Sequence, residues 1–95
     1  MQAPRTARIA VVGDFDASYP SHLATNQAID AAARALGASV DVVWVPTPDV
    51  AASGAGMLAE FDGIWSAPGS PYRSVAGALE AIRFARTRGK PFVGT

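Results

Sequence analysis

The sequence predicts an α/β protein in which a doubly wound parallel sheet carries helices on both faces. Four short apolar runs, each typical of a strand buried in a parallel sheet, span residues 7–13, 39–45, 64–67 and 92–95. The first two runs, and the last two, are separated by stretches with apolar residues at helical spacing. Strands that alternate with helices form parallel β-α-β units, so we expect one sheet with the first strand at its centre.

Composition limits the function classes. The 95 residues suffice for one small domain, 1–95, and 49% of them are apolar. Eight basic and eight acidic residues leave no net charge, which predicts neither a nucleic-acid nor a membrane partner. The absence of cysteine excludes disulfides and a thiolate nucleophile within these residues. No signal peptide or nucleotide-binding motif is recognisable, so we expect a cytoplasmic protein without a cofactor.

The first helix is predicted to have Ser21 as its N-cap and to end at Gly37. Its apolar face is predicted to consist of Ile29, Ala32, Ala33 and Leu36. Prolines at 46 and 48 end the second strand, and residues 49–60 predict a loop with one short helix.

The second long helix is predicted to run from Ser74 to Gly89. Its apolar stripe is predicted to consist of Val75, Ala78, Leu79, Ile82 and Ala85. Trp44 and Trp65 lie inside strand patterns and are predicted to be core residues.

Four segments in the last third of the chain resemble one known family. They are Asp62-Gly63-Ile64, Ala67-Pro68-Gly69, the helix 81–86 and the strand 91–94. Together they resemble the class I glutamine amidotransferase domain, most closely that of CTP synthase and its stand-alone relatives. The resemblance implies the N-terminal half of a flavodoxin-like fold. For the intact form it implies hydrolysis or transfer of the amide of a glutamine-like small molecule.

In that family a cysteine nucleophile directly follows the strand that corresponds to residues 91–95, and a histidine and a glutamate complete a triad farther on. The resemblance therefore places the nucleophile immediately after Thr95 and no catalytic residue within these 95, so this chain is expected to be inactive alone. Some stand-alone relatives resemble residues 70–74 and 94–95 closely and carry selenocysteine, whose codon ordinary gene prediction reads as a stop. A fragment boundary is the other explanation for an end at Thr95.

The turn after the third strand holds the candidate binding residues. In the resembled family this turn supplies backbone N–H donors to the oxyanion of the tetrahedral intermediate. Here that role would fall to Gly69 and Ser70, because Pro71 has no N–H to donate. The alternative is a plain tight turn. Tyr72 and Arg73 are candidates for orienting a substrate carboxylate or carbonyl, with a solvated loop tip as the alternative.

A second polar cluster, Asp14, Asp16 and His22, follows the first strand. Such residues could contact substrate or hold a metal, or Asp16 could merely make turn hydrogen bonds. A single histidine without cysteine is weak evidence, so we assign no metal site.

A function of another class stays open, namely a non-catalytic module that binds a small molecule or a partner protein. The DNA beyond codon 95 discriminates the two, because a TGA or cysteine codon followed by an open frame with a His-x-Glu motif favours the amidotransferase. Apolar strand surface that the rest of such a domain would cover also predicts self-association.

Overall fold

The computed structural model describes residues 6–67 and 72–94. Strands and helices alternate through most of this part of the chain, with a short 3₁₀ helix before the third strand. In chain order the elements are β1 (Thr6–Val12), α1 (Pro20–Leu36), β2 (Ser39–Val45), α2 (Thr47–Ser53), the 3₁₀ helix (Ala55–Glu60), β3 (Gly63–Ser66), α3 (Val75–Arg88) and β4 (Phe92–Gly94).

The strands form one parallel sheet in the order β2-β1-β3-β4. Side chains of β1 alternate between the two faces of this sheet. Val12 is buried in a cluster with Ala81 of α3, whereas Val11 is buried in a second cluster with Ile29 of α1. Helices therefore cover both faces, which confirms the predicted doubly wound sheet and the position of β1 inside it. Because all strands run the same way, their carboxyl ends meet at one edge.

Helix α1 begins two residues earlier than predicted. Tyr19 is its N-cap and makes no side-chain capping bond, so the prediction of Ser21 as N-cap is wrong. The physical reason is Pro20, whose fixed φ and missing N–H suit the first helical position. The helix ends at Gly37, where φ is 65° in the left-handed region, as predicted.

The buried face of α1 also differs in part from the predicted one. It consists of His22, Thr25, Ile29 and Ala33. Ala32 is exposed and Leu36 is 81% exposed, so these two predictions are wrong. Sequence spacing placed the stripe one turn too far along the helix, because the polar His22 and Thr25 occupy the buried positions nearest the carboxyl edge of the sheet.

The segment between β2 and β3 is more helical than the sequence suggested. Strand β2 ends at Val45, as the prolines predicted, but α2 starts directly at Thr47. Proline is tolerated in the first turn of a helix, and Pro48 lies there. The 3₁₀ helix then leads to β3, so residues 49–60 hold two helical segments where one was predicted.

Helix α3 packs closely against α2 through its smallest residues. Ser74 is the N-cap, and its Oγ accepts a hydrogen bond from the Gly77 amide at 3.1 Å. As predicted, Gly89 ends the helix, with φ 65°. The buried face consists of Gly77, Ala78, Ala81 and Ala85. A Cβ on Gly77 would collide with the carbonyl oxygen of Thr47 in α2. The contact between these two helices therefore requires glycine.

The larger members of the predicted α3 stripe lie outside this contact. Val75 is 61% and Leu79 56% exposed, so the prediction that they belong to the buried face is wrong. Strand β4 is the outermost described strand on its side of the sheet, and Phe92 and Val93 are exposed instead of buried. Spacing identifies the helix and the strand, but burial depends on which neighbours pack against them.

We expect Gly77→Ala to lower the free energy of unfolding by about 2–3 kcal/mol, because overpacking against a backbone oxygen outweighs the gain in helix propensity. Gly56→Ala is the matched control, since a Cβ there meets no atom within 4 Å among the described residues. Urea unfolding of both variants measures the difference. Equal midpoints for Gly77→Ala and wild type would contradict the close α2–α3 contact.

Candidate functional site

The loops that follow β1, β2 and β3 converge at the carboxyl edge of the sheet. The Gly13 amide donates to the Val45 carbonyl at 3.0 Å, which extends the β1–β2 pairing by one step. The Ala67 amide donates to the Val12 carbonyl, also at 3.0 Å. The polar residues beyond these points are therefore brought together by the sheet itself. Open α/β sheets place their ligands at this edge.

Asp14 is the residue on which these loops converge. One carboxylate oxygen, Oδ1, accepts the Thr47 amide at 2.9 Å. The other, Oδ2, accepts the Thr47 hydroxyl at 2.7 Å and the Arg73 amide at 2.8 Å. A carboxylate can accept several donors at once, so a single side chain holds the loop after β2 and the loop after β3.

Thr47 links Asp14 to the start of helix α3 through hydrogen bonds of its hydroxyl. Its side chain is fully buried, and its hydroxyl donates to Asp14 while accepting the Ser74 amide at 2.9 Å. A hydroxyl can do both because it has one proton and two lone pairs. Ser74 then caps α3 through the Gly77 amide. The chain of bonds runs from the end of β1 to the first turn of α3.

Two opposing effects act on the pKa of the Asp14 carboxyl. Burial raises the pKa, but the hydrogen bonds from the Arg73 amide, the Thr47 hydroxyl and the Thr47 amide lower it, and the Arg73 charge adds to them. The net effect lowers the pKa below its ordinary value. Asp14 is therefore an ionised acceptor near neutral pH and is not suited to donate a proton there.

The two described candidate residues after β3 have different surroundings. The hydroxyl of Tyr72, which is half-buried, donates to the Ala67 carbonyl and lies 3.2 Å from Ser66 Oγ, so it folds back over the end of β3. Arg73 is exposed and is held by its main chain on Asp14. Gly69 and Ser70, the predicted oxyanion donors, lie outside the described residues, as does Thr95.

A cleft of about 460 Å³ opens beside this network. Its lining combines aromatic rings with charged side chains. The lining residues are Gly13, Asp14, Phe15, Asp16, Tyr19, Trp44, Pro46 and Arg73. A concave site with apolar walls and a few polar groups is suited to a small molecule.

The polar cluster after β1 divides into separate roles. His22 is 3% exposed and accepts the Asp16 amide on Nδ1 at 3.0 Å, with the ring of Phe15 stacked on it. The Asp16 carboxylate accepts the amide and the hydroxyl of Ser18, and these bonds lower its pKa. These are the turn hydrogen bonds that the sequence left open. Within 6–67 and 72–94, no three His, Cys, Asp or Glu side chains gather as a metal-binding set.

Sequence reasoning missed the bond network although it named Asp14. Thr47 stands between two prolines, and this local pattern indicates only the end of a strand. The available signal was an aspartate that directly follows Gly13 at the carboxyl edge, together with a hydroxyl residue at the start of the next helix. Its partners are 33 and 59 residues away, so local spacing does not pair them.

Comparison with known proteins decides the family. Residues 20–95 match the glutamine amidotransferase class-I family. The chain belongs to this family. It is 36% identical over 91 residues to a CTP synthase of Mycobacterium leprae (strain Br4923). These 91 residues are 94% of this chain and 15% of that protein. It is also 36% identical over 88 residues to a CTP synthase of Halalkalibacterium halodurans, and these residues are 92% of this chain and 16% of that protein.

These comparisons confirm the resemblance inferred from the sequence and fit the N-terminal half of a flavodoxin-like sheet. The chain spans about 15% of the length of the curated relatives that it matches. Within the described part of this amidotransferase-like chain, no helix has the length and apolar character needed to cross a bilayer.

The lowered pKa of Asp14 predicts a pH-dependent contribution to stability. A carboxyl whose pKa is lower in the folded state stabilises the fold above its unfolded pKa of about 4 and loses this effect as the pH falls through the folded value. We expect Asp14→Asn to lower the free energy of unfolding by about 1–3 kcal/mol at pH 7, since bonds to a charged acceptor are lost. The difference in the free energy of unfolding between Asp14→Asn and wild type should be smaller at pH 3.

Urea unfolding at both pH values measures that difference. Asp30→Asn is the control, because the one ion pair that Asp30 forms with the described residues is an exposed pair with Arg34 at 3.0 Å, worth at most about 0.5 kcal/mol. A difference that is the same at pH 3 and pH 7 would show that the charge of Asp14 does not hold the loops.

Proposed function

We propose that residues 1–95 form the N-terminal part of a single glutamine amidotransferase domain. In its intact form this domain hydrolyses or transfers the amide of a glutamine-like substrate. The nucleophile is a cysteine or selenocysteine that follows Thr95. The observation that carries the proposal is the pairing of Ser66 in β3 with Gly94 in β4. This register brings the carboxyl ends of the two strands side by side.

That pairing supports a nucleophile after β4 and oxyanion donors in the turn after β3. Neighbouring strands lie about 4.8 Å apart, so the residue after β4 and the turn after β3 leave the sheet close together. A nucleophile after Thr95 attacks the amide carbon, and the carbonyl oxygen becomes an oxyanion. The Gly69 and Ser70 amides stabilise that charge. Ammonia leaves with a proton from a histidine beyond these residues.

Arg73 is proposed to orient the substrate in the same site, whereas Tyr72, the other candidate for that role, is proposed to hold the turn. Arg73 is exposed and lines the cleft, so its side chain suits a substrate carboxylate, for which guanidinium is a good partner. The Tyr72 hydroxyl bonds to Ala67 and Ser66, so its contribution is to hold the end of the turn.

A non-catalytic binding module is the second candidate. The cleft favours it, because a lining that combines Phe15 and Trp44 with charged side chains could hold a small molecule without any nucleophile. The DNA after codon 95 separates the two candidates, as a true stop with no amidotransferase frame beyond it supports the binding module. The cytoplasmic location and the absence of a nucleic-acid partner stay predictions from the sequence.

The test of the amidotransferase function is ammonia release from glutamine by the full-length protein. We expect activity in the wild type and a roughly 10²-fold loss of turnover in Gly69→Pro, which removes one oxyanion donor. Ala17→Pro is the control, because Ala17 is the first central residue of an exposed turn closed by the Tyr19 amide on the Asp16 carbonyl, where proline is favoured.

A polypeptide of residues 1–95 alone should release no ammonia, since it contains no cysteine and lacks the proposed triad. Full turnover in Gly69→Pro would refute the oxyanion assignment. Glutaminase activity in residues 1–95 alone would refute the placement of the nucleophile.

Self-association is expected for the 95-residue chain. Phe92 and Val93 are exposed at 37% and 47% on the outermost described strand of their side. An apolar strand edge of this kind favours pairing with another chain. Light scattering after gel filtration should therefore find a dimer or larger species at micromolar concentration, and Val93→Lys should shift it toward monomer. Leu36→Lys, an equally apolar exposed residue at the end of α1, should not. A monomeric wild-type chain would contradict this expectation.

A further inference from the structure

The segment Tyr72–Ser74 is fixed by two consecutive main-chain bonds. The Arg73 amide donates to Asp14 Oδ2, and the next amide, that of Ser74, donates to Thr47 Oγ1. Because Thr47 is itself bonded to Asp14, both amides depend on one carboxylate. Two adjacent bonds of this kind determine the position of the segment and the orientation of the peptide between them.

We propose that Asp14 is a positioning residue for amide cleavage. Its carboxylate, acting directly and through the Thr47 hydroxyl, sets where the chain re-enters the fold after the turn that follows β3. This inference rests on the proposed function and extends it. The turn after β3 would hold the oxyanion donors, and the residue that positions this turn lies on another loop, the one after β1.

The other end of the turn is fixed to β1. The Ala67 amide donates to Val12 of β1, and the Ala67 carbonyl accepts the Tyr72 hydroxyl. Only residues 68–71 join Ala67 to Tyr72. Because this connection is so short, a shift of Tyr72–Ser74 should also move the turn. Misplacement of a catalytic donor by about 1 Å can cost about 10²-fold in rate.

The bonding of Asp14 distinguishes positioning from direct chemistry. A carboxylate has about four acceptor sites, and three are used by Thr47 and Arg73. Its pKa is lowered, which suits a permanent acceptor. Asparagine at this position would turn an NH₂ group toward at least one of the same donors. Valine at position 47 would keep the shape of threonine but lose both hydroxyl bonds.

The experiment uses the full-length protein with Asp14→Asn, Thr47→Val and Thr47→Ser. Asp14→Asn and Thr47→Val should lower kcat for ammonia release by about 10- to 100-fold with KM changed less than about threefold, because donors act mainly on the transition state. Thr47→Ser keeps the hydroxyl and should stay within about threefold of wild type. Asp30→Asn, an exposed carboxylate distant from the network in sequence and bonding, is the matched control.

A second readout does not depend on activity. Hydrogen–deuterium exchange of a peptide that covers Tyr72–Gly77 should speed up at least about tenfold in Asp14→Asn and Thr47→Val and stay unchanged in Asp30→Asn, because amides released from hydrogen bonds exchange faster.

The outcomes separate the two proposals. An inactive wild type whose exchange responds as expected would overturn the proposed function while leaving the hold of Asp14 on this segment in place. An active wild type in which Asp14→Asn leaves kcat and exchange unchanged would overturn the positioning role alone. A loss of kcat in Thr47→Val that Thr47→Ser shares would also overturn it, since the hydroxyl would then not be the group that matters.

Discussion

The Asp14 carboxylate is the interaction on which the carboxyl edge of this sheet depends. Loops leave the backbone with N–H groups that no strand partner accepts, and such groups need another acceptor. One ionised side chain accepts the amides of Thr47 and Arg73 and the Thr47 hydroxyl. Burial opposes its ionisation, but the bonds outweigh that effect. The loops after three different strands therefore keep their relative positions through a single charge.

This network is held in place by the packing beneath it. Thr47 can reach both Asp14 and Ser74 only if α2 and α3 approach closely, and the absence of a side chain on Gly77 permits that approach. The core and the site are thus parts of one arrangement. A substitution in the α2–α3 contact should therefore shift the residues at the proposed amide-cleaving edge, although it changes no residue that lines the cleft.

Sequence reasoning succeeded where the signal is local. The strands, the ends of two helices at Gly37 and Gly89 and the start of α3 near Ser74 were predicted because each depends on neighbours in the chain. It failed for the burial of Leu79 and Phe92, because their exposure depends on what packs against them in three dimensions. The family followed from the motifs of the last third of the chain, whereas the Asp14 network joins residues that are far apart in sequence and carries no motif.

The amides of Thr47 and Arg73 donate hydrogen bonds to the Asp14 carboxylate, and the arrangement of this edge depends on both bonds. The most direct measurement is the NMR scalar coupling transmitted through hydrogen bonds, between the amide nitrogens of Thr47 and Arg73 and the carboxyl carbon of Asp14. We expect both couplings at pH 7, together with slow exchange of the two amides. The absence of both couplings, with Thr47 and Arg73 amides exchanging as fast as in an unfolded peptide, would contradict this expectation.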